Sequence, residues 1–210
     1  MQEIKNISAY KRALKQRILD LALELFGRHG IKAVKMDDIA RGLNISKRTL
    51  YEIYDNKELL LYEAIKSYMV QKSNDMQRFA DDHYNVMDII IHAYIIKVDE
   101  FRHTNPCFFT DIAKYPAVLE YLGQCQEKNR QLLADFLQRG ISEGYFRPDI
   151  NKDIIVMLFE EMGNTVMAKQ IYLHYPVEDI FRNLLFSSLR GICTKKGIDI
   201  IDQFLSEQGQ

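Results

Sequence analysis

Between residues 10 and 29 the chain returns an apolar side chain every third or fourth position: Leu14, Ile18, Leu21, Ala22, Leu25 and Phe26. That period predicts an amphipathic α-helix, and Lys11, Lys15, Arg17, Glu24 and Arg28 fall elsewhere on its wheel. Gly30 ends it, as glycine commonly does after a last helical turn. Ile39, Ala40 and Leu43 give the inner side of a short helix over 36–43, with Asp37 and Asp38 at its positive end. Asn44 suits a tight turn. Ser46 is a good N-cap for a third helix over 47–54, from which Leu50 and Tyr54 face inward. Asp55 or Asn56 caps a fourth, long helix over 57–80.

Further helices are expected over 84–101, 107–114, 116–143, 151–174 and 177–195. A final apolar segment, Ile198–Leu205, also reads as helical. The breaks carry their own chemistry. Thr104-Asn105-Pro106 halts one helix because the residue before proline avoids helical geometry. Gly144-Tyr145-Phe146-Arg147-Pro148 reads as a loop, followed by Asp149 or Asn151 as a cap. No alternating strand pattern or internal repeat emerges. The expected fold is all-α: a three-helix N-terminal head over 1–56 and a larger helical body over 57–210.

Charge separates the same two regions. The net charge of −1 conceals a head, residues 1–57, with 12 basic and 7 acidic side chains, against 16 and 22 in the rest. A basic head on an acidic body points to an anionic partner for the head. The three cysteines, Cys107, Cys125 and Cys193, are odd in number and lack CxxC spacing, which argues against a disulfide framework or zinc site and suits a reducing cytoplasm. The first 20 residues hold no secretory apolar run, and no stretch reaches 18 apolar residues, so neither leader nor membrane span is expected. Neither GxSxG, a phosphate-cradling glycine loop nor HExxH occurs, so no catalytic residues are assigned. His92, Asp99 and His103 share a helical face near Cys107, but the proline break intervenes; no metal or cofactor is expected.

The chemistry concentrates in residues 36–54. Two short helices joined by a turn, the second presenting Lys47, Arg48, Thr49, Tyr51 and Glu52 outward, are the geometry of a helix-turn-helix. Arg and Lys bond guanine O6 and N7, and a Tyr ring packs on a thymine methyl. Lys57, at the next helix start, suits a phosphate. The same pattern also fits a helical hairpin with a solvated charged face.

The stretch Arg17–Ala64, RILDLALELFGRHGIKAVKMDDIARGLNISKRTLYEIYDNKELLLYEA, resembles the N-terminal domain of the TetR/AcrR family of transcriptional regulators. The ordered pieces ILDLALELFGRHG, DDIARGLNISKRTLY and YDNKELL carry the likeness, over about a quarter of the chain. The resemblance implies that Lys47, Arg48 and Tyr51 face bases and that Thr49 and Lys57 touch phosphates. Lys35 and Tyr54 complete the candidate DNA-binding set. Three positions depart from the family pattern. Val34-Lys35 stands where a hydroxyl cap is usual, with Asp37 expected to compensate in part. Asn44 replaces a turn glycine. Glu52-Ile53 replaces a pair often aromatic or His, which removes a phosphate contact.

The family likeness further implies a homodimer on a palindromic duplex, through roughly residues 151–194. The stripes there are Ile155, Leu158, Phe159, Met162 and Val166, then Ile180, Leu184, Leu185, Ser188 and Leu189, and they also fit an intramolecular core. It also implies a repressor released by a small apolar or amphipathic ligand. Candidate lining residues are Met87, Ile91, Tyr94, Phe108, Phe109, Tyr121, Met157 and Met162. Methionine and aromatic side chains make adaptable pockets and equally make ordinary core. The alternative is a ligand-independent, architectural DNA-binding protein of the same fold.

Overall fold

A computed structural model describes residues 2–82 and 84–208. The chain is all-α, and among the described residues the only strand-like feature is an isolated bridge between Phe146 and Cys193. The order is α1 (Gln2–His29), α2 (Met36–Gly42), α3 (Lys47–Ile53), α4 (Lys57–Asp81), α5 (Val86–His103), α6 (Pro106–Ile112), α7 (Pro116–Ser142), α8 (Lys152–Ala168), α9 (Val177–Ile180), α10 (Ser187–Ile192) and α11 (Lys195–Glu207).

Most boundaries follow from the local chemistry expected of them. Gly30 takes φ +83° and closes α1, its N–H donating to Phe26 O at 2.9 Å. The Asn105 side chain accepts from Cys107 N–H and caps α6, with Pro106 at its first position. Of the two candidate caps for α8, Asn151 does the work, accepting from the N–H groups of Asp153 and Ile154.

Three elements differ from expectation. α1 begins at Gln2, ahead of the expected start at Tyr10. The helix expected over 151–174 stops at Ala168, because Gln170 adopts the left-handed conformation, φ +50°, and a 3₁₀ turn follows at Ile171–Leu173. The helix expected over 177–195 is broken by a π-helical segment, Phe181–Phe186, which joins α9 to α10.

Contacts divide the chain into two compact units, residues 1–74 with 103–122, and residues 75–102 with 123–210. The first unit is thus larger than the head of residues 1–56. Its core sets Leu14, Ile18, Ala22 and Phe26 of α1 with Ile39 and Leu50, and adds Leu60, Leu61 and Ala64 of α4 and Val118 of α7. α6 is tied to α1 and to the turn after it. Asn105 N–H donates to Gly27 O at 2.7 Å, and Lys32 N–H donates to Asp111 Oδ2 at 2.8 Å.

The second unit has its own core of Val86, Met87, Tyr94, Leu137, Phe146, Phe186, Ile201 and Phe204. Phe146 packs closely on Gly140: a Cβ there would meet the ring at 2.2 Å, so only glycine permits the approach. Apolar side chains on α8 remain outside this core, with Ile154 56%, Met157 51% and Leu158 43% exposed. Among the described residues no helix is long and apolar enough to cross a membrane.

Candidate nucleic-acid interface

The reading element is built from its turn outward. Asn44, at φ +53°, lets the chain reverse between α2 and α3, and Ile45 N–H returns to Ala40 O at 3.1 Å. Ser46 Oγ accepts from Thr49 N–H at 3.0 Å and caps α3. Leu50, wholly buried, anchors the inner side of α3. The opposite side then carries Lys47, Arg48, Tyr51 and Glu52, all exposed.

These side chains are not isolated charges. Lys47 Nζ lies 2.8 Å from Asp37 Oδ1. That hydrogen bond and the carboxylate's charge hold the Lys47 pKa above the ordinary lysine value. The same ammonium sits 5.9 Å from the Tyr51 ring centre. Arg48 Nε donates to Glu52 Oε1 at 2.8 Å, one turn along the helix.

Asp37 is therefore the partner of Lys47 and not the substitute cap expected for α2. Asp38 supplies that cap, accepting from Lys35 N–H at 2.9 Å, and the Lys35 side chain stays exposed beside it. Thr49 is half-buried, its hydroxyl 2.8 Å from Ser46 Oγ.

Two members of the expected set have other positions. Tyr54 is only 6% exposed and belongs to the core of the first unit, as its spacing from Leu50 implies; its ring is not on the exposed face. Burial, with Glu63 nearby, raises its pKa. Lys57 turns inward: Nζ donates to Ile31 O at 2.8 Å and to Val34 O at 2.9 Å, tying the α1–α2 connection to the start of α4. Burial lowers its pKa, opposed by the negative charge of Asp111.

Asp111 is the residue that spacing did not single out. It is a buried carboxylate, bonded to Lys32 N–H and, at 3.0 Å, to Lys114 Nζ. Burial pushes its pKa up, but these bonds and the two lysine charges outweigh it and leave the group below the ordinary carboxylate value. No sequence period marks such a residue, because its partner is a backbone N–H 79 residues away.

The candidate ligand residues are distributed over both units. Phe108, Phe109 and Tyr121 belong to the first unit; Met87, Ile91, Tyr94, Met157 and Met162 belong to the second. Met87 and Tyr94 are core, with Phe181, Phe186 and Phe204 at 5.1–5.5 Å around the Tyr94 ring. Ile91 packs half-buried against the same core, Met162 is half-buried near Ser188, and Met157 is exposed. A depression of about 150 Å³ in this unit is lined by Glu127, Arg130, Gln131, Ala134, Asp153 and Val156, none of them candidates. His92 stacks on Phe79, with ring centres 3.8 Å apart, and among the described residues no three His, Cys, Asp or Glu side chains converge as a metal site would require.

A capped second helix, a left-handed turn and an exposed basic and aromatic face have the geometry of a helix-turn-helix. Residues 18–64 match the family described as bacterial regulatory proteins, tetR family. The chain is 26% identical over 143 residues to the transcriptional repressor KstR2 of Mycobacterium tuberculosis, covering 66% of this chain and 72% of that one. It is 32% identical over 89 residues to the negative regulator of the biofilm operon icaADBC of Staphylococcus epidermidis, 41% and 48% of the two chains. The solved structure of the M. tuberculosis ketosteroid regulator KstR2 superposes with TM-score 0.56 at 21% identity, covering 86% of this chain and 95% of the other. That of a regulator from Saccharomonospora viridis in complex with choline gives 0.68 at 18%, covering 88% and 100%. The chain is thus similar to tetR-family regulators through residues 18–64 and, over a longer stretch, to a protein named as a transcriptional repressor.

Proposed function

We propose that two copies of this chain bind a palindromic operator as a repressor, that α3 of each enters the major groove, and that a small ligand releases them. The observation that carries this reading is the exposed face of α3, where Lys47, Arg48 and Tyr51 stand together over a buried Leu50. Lys47 and Arg48 would address guanines and Tyr51 a thymine methyl. Lys35 and Thr49 border that face and would meet phosphates; Lys57 would act on the backbone only through the turn it holds.

A magnitude supports two copies. Selecting one site among ~10⁶ competitors needs ~8 kcal/mol. One recognition helix brings 3–4 base-reading side chains at ~1–3 kcal/mol each, a marginal total. Two heads set about 34–36 Å apart read both half-sites. The exposed Ile154, Met157 and Leu158 of α8 fit a self-associating face within residues 151–194, because an apolar cluster of this kind is costly in water.

Release by ligand requires a coupling of only ~1–3 kcal/mol to weaken DNA binding ~5–150-fold. The choline held by the S. viridis regulator supports a small organic molecule as the kind of ligand. Such a regulator works in the cytoplasm, where its duplex lies.

The test is a gel shift with fragments of the source genome at low salt, alongside sedimentation of the protein. A dimeric species that retains particular fragments, and loses base preference in Arg48→Ala and Tyr51→Ala, is expected. A protein that retains no duplex at low salt overturns the reading.

A further inference from the structure

Glu52 is an acidic group on a surface proposed to meet a polyanion. Residues 35–54 carry four basic side chains, Lys35, Arg41, Lys47 and Arg48, and three acidic ones, Asp37, Asp38 and Glu52. Asp38 caps α2 and Asp37 holds Lys47 across the turn. Glu52 has no such structural duty beyond its bond to Arg48, and its side chain is 60% exposed on the outer side of α3. A carboxylate carried into a groove between phosphate rows is repelled unless it accepts hydrogen bonds there.

We propose that Glu52 is a base-reading residue that selects cytosine next to the base pair read by Arg48. The acceptor chemistry decides which base. A carboxylate has no donor. Guanine offers it only the acceptors N7 and O6, and thymine an acceptor and a methyl group. Adenine sets N7, an acceptor, beside its N6 donor. Cytosine alone offers N4–H₂ with no acceptor beside it in the major groove.

The 2.8 Å bond to Arg48 fixes the register of the two readers. Residues four apart on a helix stand about 5–6 Å from each other, one to two base steps of about 3.4 Å. When the Arg48 guanidinium spans O6 and N7 of a guanine, Glu52 faces the adjoining one or two base pairs. Its bond to Arg48 also holds the fork extended before contact, lowering the entropy lost on binding.

This inference rests on the groove-binding role of α3 proposed above, and the experiment separates the two. Full-length protein, Glu52→Gln and Glu52→Ala each select from a duplex pool with a randomised core, and the bound fractions are sequenced. The parent protein is expected to enrich cytosine at one symmetric position per half-site. Glutamine pairs with adenine N6 and N7, so Glu52→Gln should exchange that cytosine for adenine, a change in preference of about ten- to a hundredfold at that position and nowhere else. Glu52→Ala should lose the preference without gaining another. Identical selected sequences for the parent and Glu52→Gln would confine Glu52 to steadying α3 and overturn this inference while leaving the reading of α3 intact. A parent protein that selects no sequence overturns both.

Discussion

The Asp37 carboxylate, in the first turn of α2, meets the ammonium of Lys47, the first residue of α3, at 2.8 Å. One charge of the reading helix is thus committed to its own domain before any duplex arrives. The pair is solvent-exposed on both sides, so its worth to folding is small. Its effect on binding is larger, since Asp37 would stand close to phosphates. Asp37→Asn is expected to tighten low-salt duplex binding by up to about fivefold and to steepen the log K against log salt slope by about one per head. Titrations at three ionic strengths read both quantities. An unchanged slope would place Asp37 away from the phosphate backbone.

Lys57 spans from α4 back to Ile31 O and Val34 O, and its removal leaves both carbonyls without that donor. Lys57→Met keeps the aliphatic stem and deletes the ammonium. A loss of about 1–3 kcal/mol is expected in urea denaturation, with weaker DNA binding as a consequence of a loosened turn. A variant as stable as the parent that nonetheless binds all duplexes more weakly would make Lys57 a direct phosphate ligand.

Asp111 sets a pH dependence. Its folded pKa lies below the unfolded value of about 3.9, so its contribution is complete above that value and disappears as pH falls through the folded pKa. The first unit should lose stability as pH falls below the unfolded value and on through the lower folded pKa, and Asp111→Asn should show a shallower loss over that range. At pH 7 the same variant should be less stable, since the Lys114 pairing is lost. Denaturation midpoints at several pH values give the comparison. Parallel acid profiles for parent and variant would show that the buried carboxylate is not the controlling group.

The three thiols should separate by reactivity. Cys107 is exposed, whereas Cys193 is buried, and burial pushes its thiol up to about 11. The thiolate is the reacting species. Cys107 is expected to react with a maleimide in the native state and Cys193 only on unfolding, which peptide mass mapping resolves. Native labelling of Cys193 at a comparable rate would show that the second core opens readily.

How much of this was legible in the chain depends on the range of the interaction. Ser46, Asn44, Gly30 and Pro106 announce their roles because each acts on backbone within a few residues, and the ends of α2, α3 and α6 follow. The outward side of α3 is legible for the same reason: Leu50 and Tyr54 point the other way. Tyr54's place in the candidate set conflicted with that period, and the period prevailed. Gln170 was not legible, since a left-handed glutamine carries no residue-type signal. Nor was the π-helical segment 181–186, whose apolar spacing still reads as one regular helix. Asp111 and the inward turn of Lys57 were beyond reach because their partners are backbone atoms distant in sequence.

The first core draws on Leu60, Leu61, Ala64 and Ile65 of α4 and on Val118 of α7 as well as on the first 56 residues. A fragment cut after Asn56 would therefore leave Phe26, Ile39 and Leu50 without much of their cover. The DNA-reading segment is consequently not a portable cassette: to graft it onto another protein, one would have to carry α4 and the stretch around α6 along with it.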